Sequence, residues 1–349
     1  MEYYNGSKLL SLKDINGDTP EIYIVTTNRS GGKTTYFGRY YLNRYFKYNE
    51  KFMLLYRFNY ELDNVGEKFF KDIGSLFFPD KYMTSKSFSK GVYHELYVGD
   101  RGSDVLQCCG YAVALNNADQ IRKYSHLFSD VQRMMLDEFQ PESNRYCNNE
   151  IEKFQSMHTS VARGNHKQVR YVPVHLIGNP VTILNPYYVA FGVADRLREN
   201  TRFLRGEGFV LEQGYVDSAA KAQSQSAFNR AFKGSNYVNY AMQGVYLNDT
   251  KAFIEKPEGR SRYICTIKYN NKYYGMREFN ELGIIYCDNR PDMSCPNKLS
   301  VTTQDHDINY VMLKSHTMFL SNMRYLFDKG AFRFANMSCK ECVLAALSY

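Results

Sequence analysis

Residues 27–34, Thr27-Asn28-Arg29-Ser30-Gly31-Gly32-Lys33-Thr34, carry the strongest chemical signal in the chain. They match the phosphate-binding pattern G-x-x-x-x-G-K-[ST] everywhere except the first glycine, where Thr27 stands. Each residue type answers a need of a polyphosphate ligand. Backbone N–H groups must wrap the β-phosphate, so the chain needs the close approach and unusual dihedrals that Gly31 and Gly32 permit. The Lys33 ammonium reaches the β- and γ-phosphates, and the Thr34 hydroxyl is a ligand for Mg²⁺. Thr35 completes the expected nucleotide-binding stretch 27–35. Thr27 is expected to loosen the first turn of the loop without abolishing binding, because Gly31 to Thr34 are intact. The competing reading is a Gly-rich turn that happens to contain Lys. Context decides: the apolar run Ile22-Tyr23-Ile24-Val25 precedes, and Phe37, Tyr41, Leu42 and Tyr45 follow at helical spacing.

Hydrolysis needs an acid at the end of a neighbouring strand. Met134-Met135-Leu136-Asp137-Glu138-Phe139 is an apolar strand that ends in two carboxylates. Asp137 fits coordination of Mg²⁺, and Glu138 fits the base that orients and deprotonates the attacking water. Alone, such a pair is usually a strand end meeting solvent; downstream of a phosphate loop it completes a site. The adjacent Glu favours ATP hydrolysis by the additional-strand class of P-loop enzymes over a kinase or a GTPase switch. Two polar features remain open. Asn179 ends another apolar run, so it either senses the γ-phosphate or belongs to an ordinary Asn-Pro turn. Arg163, in Ala162-Arg163-Gly164-Asn165, is either a surface charge or a group that reaches a phosphate on a neighbouring subunit.

The elements that must position these groups read as an α/β arrangement of mostly parallel strands between helices. Phe52 to Tyr56, Tyr111 to Leu115, Met134 to Leu136 and Tyr171 to Ile177 join Ile22 to Val25 as continuous apolar strands, which suit a parallel sheet covered on both faces. Residues 1–205 are expected to form this ATPase domain. Between Arg205 and Gly244 the composition shifts to Gly, Ser, Gln, Ala and Asn, predicting a linker subdomain over 206–245 with one short helix, Ser218 to Phe232. From 246 to 349 the signature changes again. Arg262 to Tyr269 alternates, Asn270-Asn271 supplies a two-residue turn, Lys272 to Glu278 returns and Ile284-Ile285-Tyr286 follows, an antiparallel meander before helices.

The chain has 349 residues, 44% apolar and 23% charged, which excludes a mostly disordered protein. Aromatics reach 15%, with 31 Tyr and no Trp, so Tyr is expected as large, partly polar core filler. The net charge of +8 is compatible with a polyanionic partner but is spread along the chain, so no DNA-contact residue is singled out. Met1 to Leu10 carries no basic region followed by an apolar run, and no run approaches the roughly 18 apolar residues of a spanning helix, predicting a soluble, cytosolic protein without membrane contact. Cys339 and Cys342 have the spacing of a metal half-site. No second pair completes it, and the position of Cys287 and Cys295 is wrong for a zinc knuckle, so a final helix from Ser338 to Ser348 is preferred.

Arg29 within the loop, the Met134–Phe139 strand, the Phe253–Lys256 segment (Phe-Ile-Glu-Lys) and the order of elements resemble the DNA-packaging (encapsidation) ATPases of small tailed phages with protein-primed genomes, relatives of the terminase large subunits. The likeness runs from about Ile22 to the C-terminus. It implies an ATP- and Mg²⁺-dependent motor that translocates double-stranded DNA into a preformed capsid through the portal or connector. A homo-oligomeric ring, a pentamer in the family, would sit at the portal vertex of the prohead in the host cytoplasm, with a packaging RNA in members that use one. By resemblance Lys33 and Thr34 bind phosphate and Mg²⁺, Asp137 holds Mg²⁺, Glu138 is the base and Asn179 couples hydrolysis to movement. Arg29 is then an internal arginine, Arg163 the best match to a trans-acting finger, and Arg170 a fallback. The region 246–349 resembles the RNase H-like nuclease domain of terminases in shape rather than chemistry. Its first strand has no Asp or Glu, and Asp288, Asp305 and Asp307 alone do not clamp two metals, so a vestigial nuclease is expected. Two other readings stand beside this one: a complete terminase with an active nuclease, and a nucleotide-gated adaptor that does not hydrolyse.

Overall fold

The computed structural model describes residues 3–143, 145–164, 167–183, 185–193, 196–197, 201–232, 235–243, 246 and 253–347. Two compact units divide the chain: Met1–Phe191 with Arg198–Asn248, and Gly192–Leu197 with Asp249–Tyr349.

The first unit is built on a sheet of strands β1 (Ile22–Thr26), β2 (Lys51–Tyr56), β3 (Lys81–Phe88), β4 (Tyr93–Asp100), β5 (Gln107–Ala114), β6 (Val131–Asp137), β7 (Val174–Gly178), β8 (Phe203–Gly206) and β9 (Phe209–Gln213). Their order is β3-β4-β5-β2-β6-β7-β1-β9-β8. The six strands from β5 to β9 run parallel, and the β3–β4 ribbon and β8 close the two edges antiparallel. The helices of this unit are α1 (Ser7–Ser11), α2 (Lys33–Tyr48), α3 (Val65–Phe77), α4 (Ala118–Ile121), α5 (Glu150–Val161), α6 (Pro186–Ala190), α7 (Asp217–Gln225), α8 (Ala227–Ala231) and α9 (Asn236–Gln243). β7 lies between β1 and β6, so an extra strand separates the phosphate-loop strand from the Asp137-Glu138 strand. That is the sheet order expected of the additional-strand class.

The central strands are apolar because both faces are covered: β7 is buried throughout, and β1 and β2 are buried except at their ends. Tyr serves as polar-tipped filler. Tyr41, Tyr187, Tyr188 and Tyr240 are among the largest fully buried side chains. The Tyr41 hydroxyl donates to the Met134 carbonyl at 2.5 Å and lies 2.7 Å from His175 Nδ1, and burial drives the His175 pKa down to about 3.

Several boundaries differ from the sequence expectation. Residues 206–245 are not a detached linker: β9 pairs with β1 in full register, and the helical segment is split into α7 and α8 at Ser226. Gly, Ser and Gln obscured a strand whose core-facing residues are only Phe209, Val210 and Leu211, with a buried Glu212. The strand expected from Tyr171 begins at Val174. The β3–β4 ribbon carries no strand signal in the sequence because its residues are mostly half-exposed and lack a continuous apolar run.

The second unit contains β10 (Arg262–Tyr269), β11 (Lys272–Phe279), β12 (Ile284–Asp288), β13 (Lys298–Ser300), β14 (Val311–Met312) and β15 (Phe332–Phe334), in the order β14-β13-β10-β11-β12-β15, with α10 (Thr317–Asp328) and α11 (Met337–Leu347). β10, β11 and β12 form the expected meander, and Asn270 and Asn271 both take positive φ in its two-residue turn. Cys265, Cys287, Cys339 and Cys342 are all buried in the core of this unit, where they pack as small apolar groups.

Candidate functional site

The phosphate loop joins β1 to α2 at the C-terminal end of the parallel strands, where open α/β sheets place their ligands. Ser30 and Gly32 both take left-handed φ, +59° and +81°, and so aim the loop's backbone inward before α2 begins at Lys33. A Cβ on Gly32 would lie 2.6 Å from the Tyr3 ring, and one on Gly31 would lie 2.7 Å from Thr27 Oγ1. Gly32 is therefore favoured by dihedral as well as by contact, and Gly31 by contact alone.

Thr27 does not loosen the turn. It is buried, its hydroxyl donates to the Asn28 carbonyl at 2.9 Å, and the same oxygen accepts from Lys33 Nζ at 2.9 Å. A glycine there would offer Lys33 no hydroxyl. Asn28, fully buried, exchanges two bonds with Val216 beyond β9: Nδ2 donates to its carbonyl at 3.1 Å, and its N–H donates to Oδ1 at 2.9 Å. Tyr4 N–H donates to the Gly31 carbonyl at 2.7 Å. The loop is thus held by the N-terminal segment on one side and by the chain after β9 on the other.

Lys33 also donates to Asn179 Oδ1 at 2.9 Å, so the residue after β7 does meet the phosphate loop. Lys33 is 7% exposed, and burial lowers its pKa to about 8 against the opposing pull of Asp137. Thr34 Oγ1 donates to Asp137 Oδ2 at 2.8 Å, and Thr35 follows it, half-buried, in the first turn of α2. Burial raises the Asp137 pKa, and the Thr34 hydrogen bond and Lys33 oppose that rise. A hydroxyl and a carboxylate in contact at the mouth of an anion-binding loop are the hard oxygen donors that Mg²⁺ takes. The residues fit ATP with Mg²⁺.

Glu138 stands one residue past β6 with φ +53°, its side chain exposed and its N–H donating to Asp137 Oδ1 at 2.9 Å. Partial burial, then Asp137 and Glu142, push its carboxyl up from the ordinary carboxylate value. A cleft of about 410 Å³ opens beside it, lined in part by Thr34, Arg57, Glu61, Lys68 and Asp137. Arg29 is engaged by other groups: Nη1 pairs with Glu142 Oε1 at 2.5 Å and bonds the Tyr237 hydroxyl. Glu142 also accepts from Tyr240 at 2.9 Å.

Arg163 is not brought to this site. It follows α5 and is exposed, and the loop it starts lies at the N-terminal end of β6, where Gly164 abuts Ser129. The seven residues of β6 separate that end from Asp137, about 20 Å at the rise of a strand. Asn165 lies outside the described residues. Arg170 is buried, its guanidinium donating to the carbonyls of Val131 and Val161, which removes it as an alternative finger.

Sequence reasoning missed Arg57. It is buried, pairs with Glu150, and donates to the carbonyls of Glu138 and Phe139. Its only sequence signal is an Arg directly after the apolar run of β2.

In the second unit the three aspartates Asp288, Asp305 and Asp307 are engaged. Asp288 pairs with Arg277 at 2.9 Å, Asp307 pairs with Lys268 at 3.0 Å, and buried Asp305 accepts from the N–H groups of Asn270 and Asn271. Among the described residues no group of three or more His, Cys, Asp or Glu is placed to hold a metal ion. No helix among them is long and apolar enough to cross a membrane.

A model of the family described as Podovirus DNA encapsidation protein (Gp16) matches residues 1–347. The DNA packaging protein of Bacillus phage phi29 is 26% identical over 339 residues, 96% of this chain and 93% of its own. The DNA packaging protein of Bacillus phage B103 is 24% identical over 313 residues, 88% of this chain and 90% of its own. A chain in the solved bacteriophage phi29 viral genome packaging motor assembly aligns with 100% of this chain and 98% of its own, with a TM-score of 0.68 at 22% identity.

Proposed function

This chain belongs to the Podovirus DNA encapsidation protein family, and from that premise we propose that it is an ATP-driven motor that moves double-stranded viral DNA into a preformed capsid through the portal. The observation that carries the reading is the meeting of Lys33, Thr34, Asp137 and Asn179, from three strand ends, within hydrogen-bond distance.

Bound ATP with Mg²⁺ supplies the scissile γ-phosphoryl group and neutralises charge between its phosphates. Lys33 and Thr34, with the backbone of residues 27–35, hold the phosphates, and Thr34 and Asp137 hold the metal. Glu138 takes the proton of the attacking water, and its raised carboxyl pKa suits a base. Asn179 accepts from Lys33, so a phosphate that draws the Lys33 ammonium would change what the tip of β7 is bonded to. That is a physical route from phosphate state to strand movement. Arg163, remote from its own pocket, would serve the pocket of the next subunit in a ring, a pentamer by family likeness.

The second unit orders its strands β15-β12-β11-β10-β13-β14, an antiparallel meander flanked on both sides by parallel strands, and the run β12-β11-β10-β13-β14 within it supports an RNase H-like reading. Its aspartates are tied to Arg277, Lys268 and backbone N–H groups, which supports docking of portal, packaging RNA or DNA over cutting. The working place is the portal vertex of the prohead in the host cytoplasm.

The test is ATP turnover by the pure protein with and without empty proheads and double-stranded DNA, together with DNA protected from nuclease. DNA-stimulated turnover and protected DNA are expected. Nucleotide binding without turnover would leave an adaptor, and Mg²⁺- or Mn²⁺-dependent plasmid cleavage would restore the complete-terminase reading.

A further inference from the structure

Glu138 holds a left-handed φ that a non-glycine residue keeps only where its surroundings over-determine it. Those surroundings centre on Arg57. Its Nη1 and Nη2 each lie 3.3 Å from the Glu138 carbonyl, and Nη2 lies 3.1 Å from the Phe139 carbonyl. Its Nε donates to both oxygens of Glu150, at 3.0 and 2.8 Å. Both side chains are almost fully buried, 4% and 2% exposed. Glu150 is itself fixed, accepting from the Tyr187 hydroxyl and from the Cys147 N–H, each at 2.9 Å. On the other side of the turn, Glu138 N–H is held by Asp137 and Phe139 N–H by the Ile177 carbonyl at 3.2 Å. The backbone on both sides of Glu138 is therefore pinned, and only its exposed side chain is free to move.

A buried ion pair is a poor way to add stability, because apolar side chains of the same volume usually serve as well. Here the guanidinium fork spends its remaining N–H groups on two successive carbonyls of the turn that carries Glu138. A planar fork can do this while paired to a carboxylate; an ammonium, a single point of charge, cannot.

We infer that Arg57, held by Glu150, is a positioning residue that sets the aim of the Glu138 carboxylate at the attacking water. The inference rests on the proposed role of Glu138 as base. Displacing a base by about 1 Å is enough to cost on the order of 100-fold in rate.

The experiment uses the full-length protein and the variants Arg57→Lys, Glu150→Gln, Glu138→Gln and the double variant Arg57→Lys/Glu138→Gln. DNA-stimulated kcat and KM are measured beside the affinity for a fluorescent ATP analogue. Arg57→Lys is expected to lower kcat about 10- to 100-fold with KM and nucleotide affinity within about threefold. In the Glu138→Gln background the same change should lower the residual single-turnover rate by less than about threefold, since a residue acting through Glu138 has nothing left to position. A kcat for Arg57→Lys equal to wild type, or losses that multiply in the double variant, would overturn the inference. Unchanged turnover by Glu138→Gln would instead remove the base assignment beneath it. If Arg57→Lys does not fold, Glu150→Gln, which keeps shape and an acceptor for Nε, carries the same comparison and the same expected split.

Discussion

Lys33 Nζ lies 2.9 Å from Asn179 Oδ1, and this bond joins the phosphate loop to the tip of the strand inserted between β1 and β6. The ammonium is buried, and burial lowers its pKa from 10.5 to about 8. At neutral pH it is charged in both folded and unfolded chains, so the fold bears the cost of burying it. That shift corresponds to about 3 kcal/mol. Lys33→Met is therefore expected to abolish ATP turnover and to stabilise the nucleotide- and metal-free protein by up to about 3 kcal/mol at pH 7, read from urea denaturation in EDTA. The gain should fade from about pH 8, where the folded lysine begins to lose its proton, and be gone by about pH 10.5, where the unfolded one loses it too. A destabilised variant would mean that the bonds to Thr27 and Asn179 outweigh desolvation.

Glu138→Gln keeps the shape of the side chain and removes its basicity. Turnover should drop by about 10²- to 10⁴-fold while bound ATP persists. Measured on isolated rings by rapid filtration, ATP that is retained and not hydrolysed is the expected result; normal turnover places the base elsewhere.

Glu150 partners a buried guanidinium, so its loss is felt throughout the turn after β6. Glu150→Ala strands Arg57, the Tyr187 hydroxyl and the Cys147 N–H, and should cost about 3–5 kcal/mol in denaturant unfolding. The pairwise replacement Arg57→Met/Glu150→Leu should recover the part of that stability owed to the unpaired guanidinium, without recovering turnover. Equal instability of both variants would mean that the site needs the charges to fold.

His175 is kept neutral by burial beside Tyr41, with its pKa near 3 against 6.5 when unfolded. Between those values the unfolded chain binds the extra proton, so this residue's contribution is intact above pH 6.5 and is lost as pH falls, by up to about 1.4 kcal/mol per pH unit. The stability difference between wild type and His175→Gln should therefore shrink steadily from pH 6.5 towards pH 4. Carboxylate titration common to both cancels in the difference. A constant difference across that range would show that His175 does not resist protonation.

The loop from Thr27 to Thr34 and the Asp137-Glu138 pair were legible because their chemistry demands particular residue types at fixed spacing. The continuous apolar strands around them were legible because both faces of a parallel sheet are covered. What escaped notice has a common cause. β9 has few apolar residues and a buried Glu212 that accepts from Tyr4 at 2.7 Å, a pairing 208 residues apart that no local pattern announces. Thr27 read as a defect because its use, an acceptor for Lys33, exists only once the loop closes. Arg57 and Glu150 each look like a surface charge in sequence and become buried only through each other.

Arg163 provides the test of assembly. It is exposed, at the end of the sheet opposite Asp137, so it has no path to its own pocket without rebuilding the fold. Phosphoryl transfer concentrates charge on the γ-oxygens, and a guanidinium supplied there from a neighbour is worth about 10³- to 10⁵-fold in rate. If Arg163 is that group, Arg163→Ala should lose DNA-stimulated turnover while binding ATP normally, and should unfold like wild type because the side chain is exposed. Lys33→Ala and Arg163→Ala each remove a different half of a shared site. Mixed in one ring, some interfaces pair an intact pocket with an intact arginine, and ATPase activity should rise above that of either variant alone. It should pass through a maximum near equal proportions. Strictly additive activity across the mixing series would show that the two residues serve the same subunit, and normal turnover by Arg163→Ala alone would pass the role to another arginine. Arg29 is then next, since its ties to Glu142 and Tyr237 are exposed enough to exchange for a phosphate.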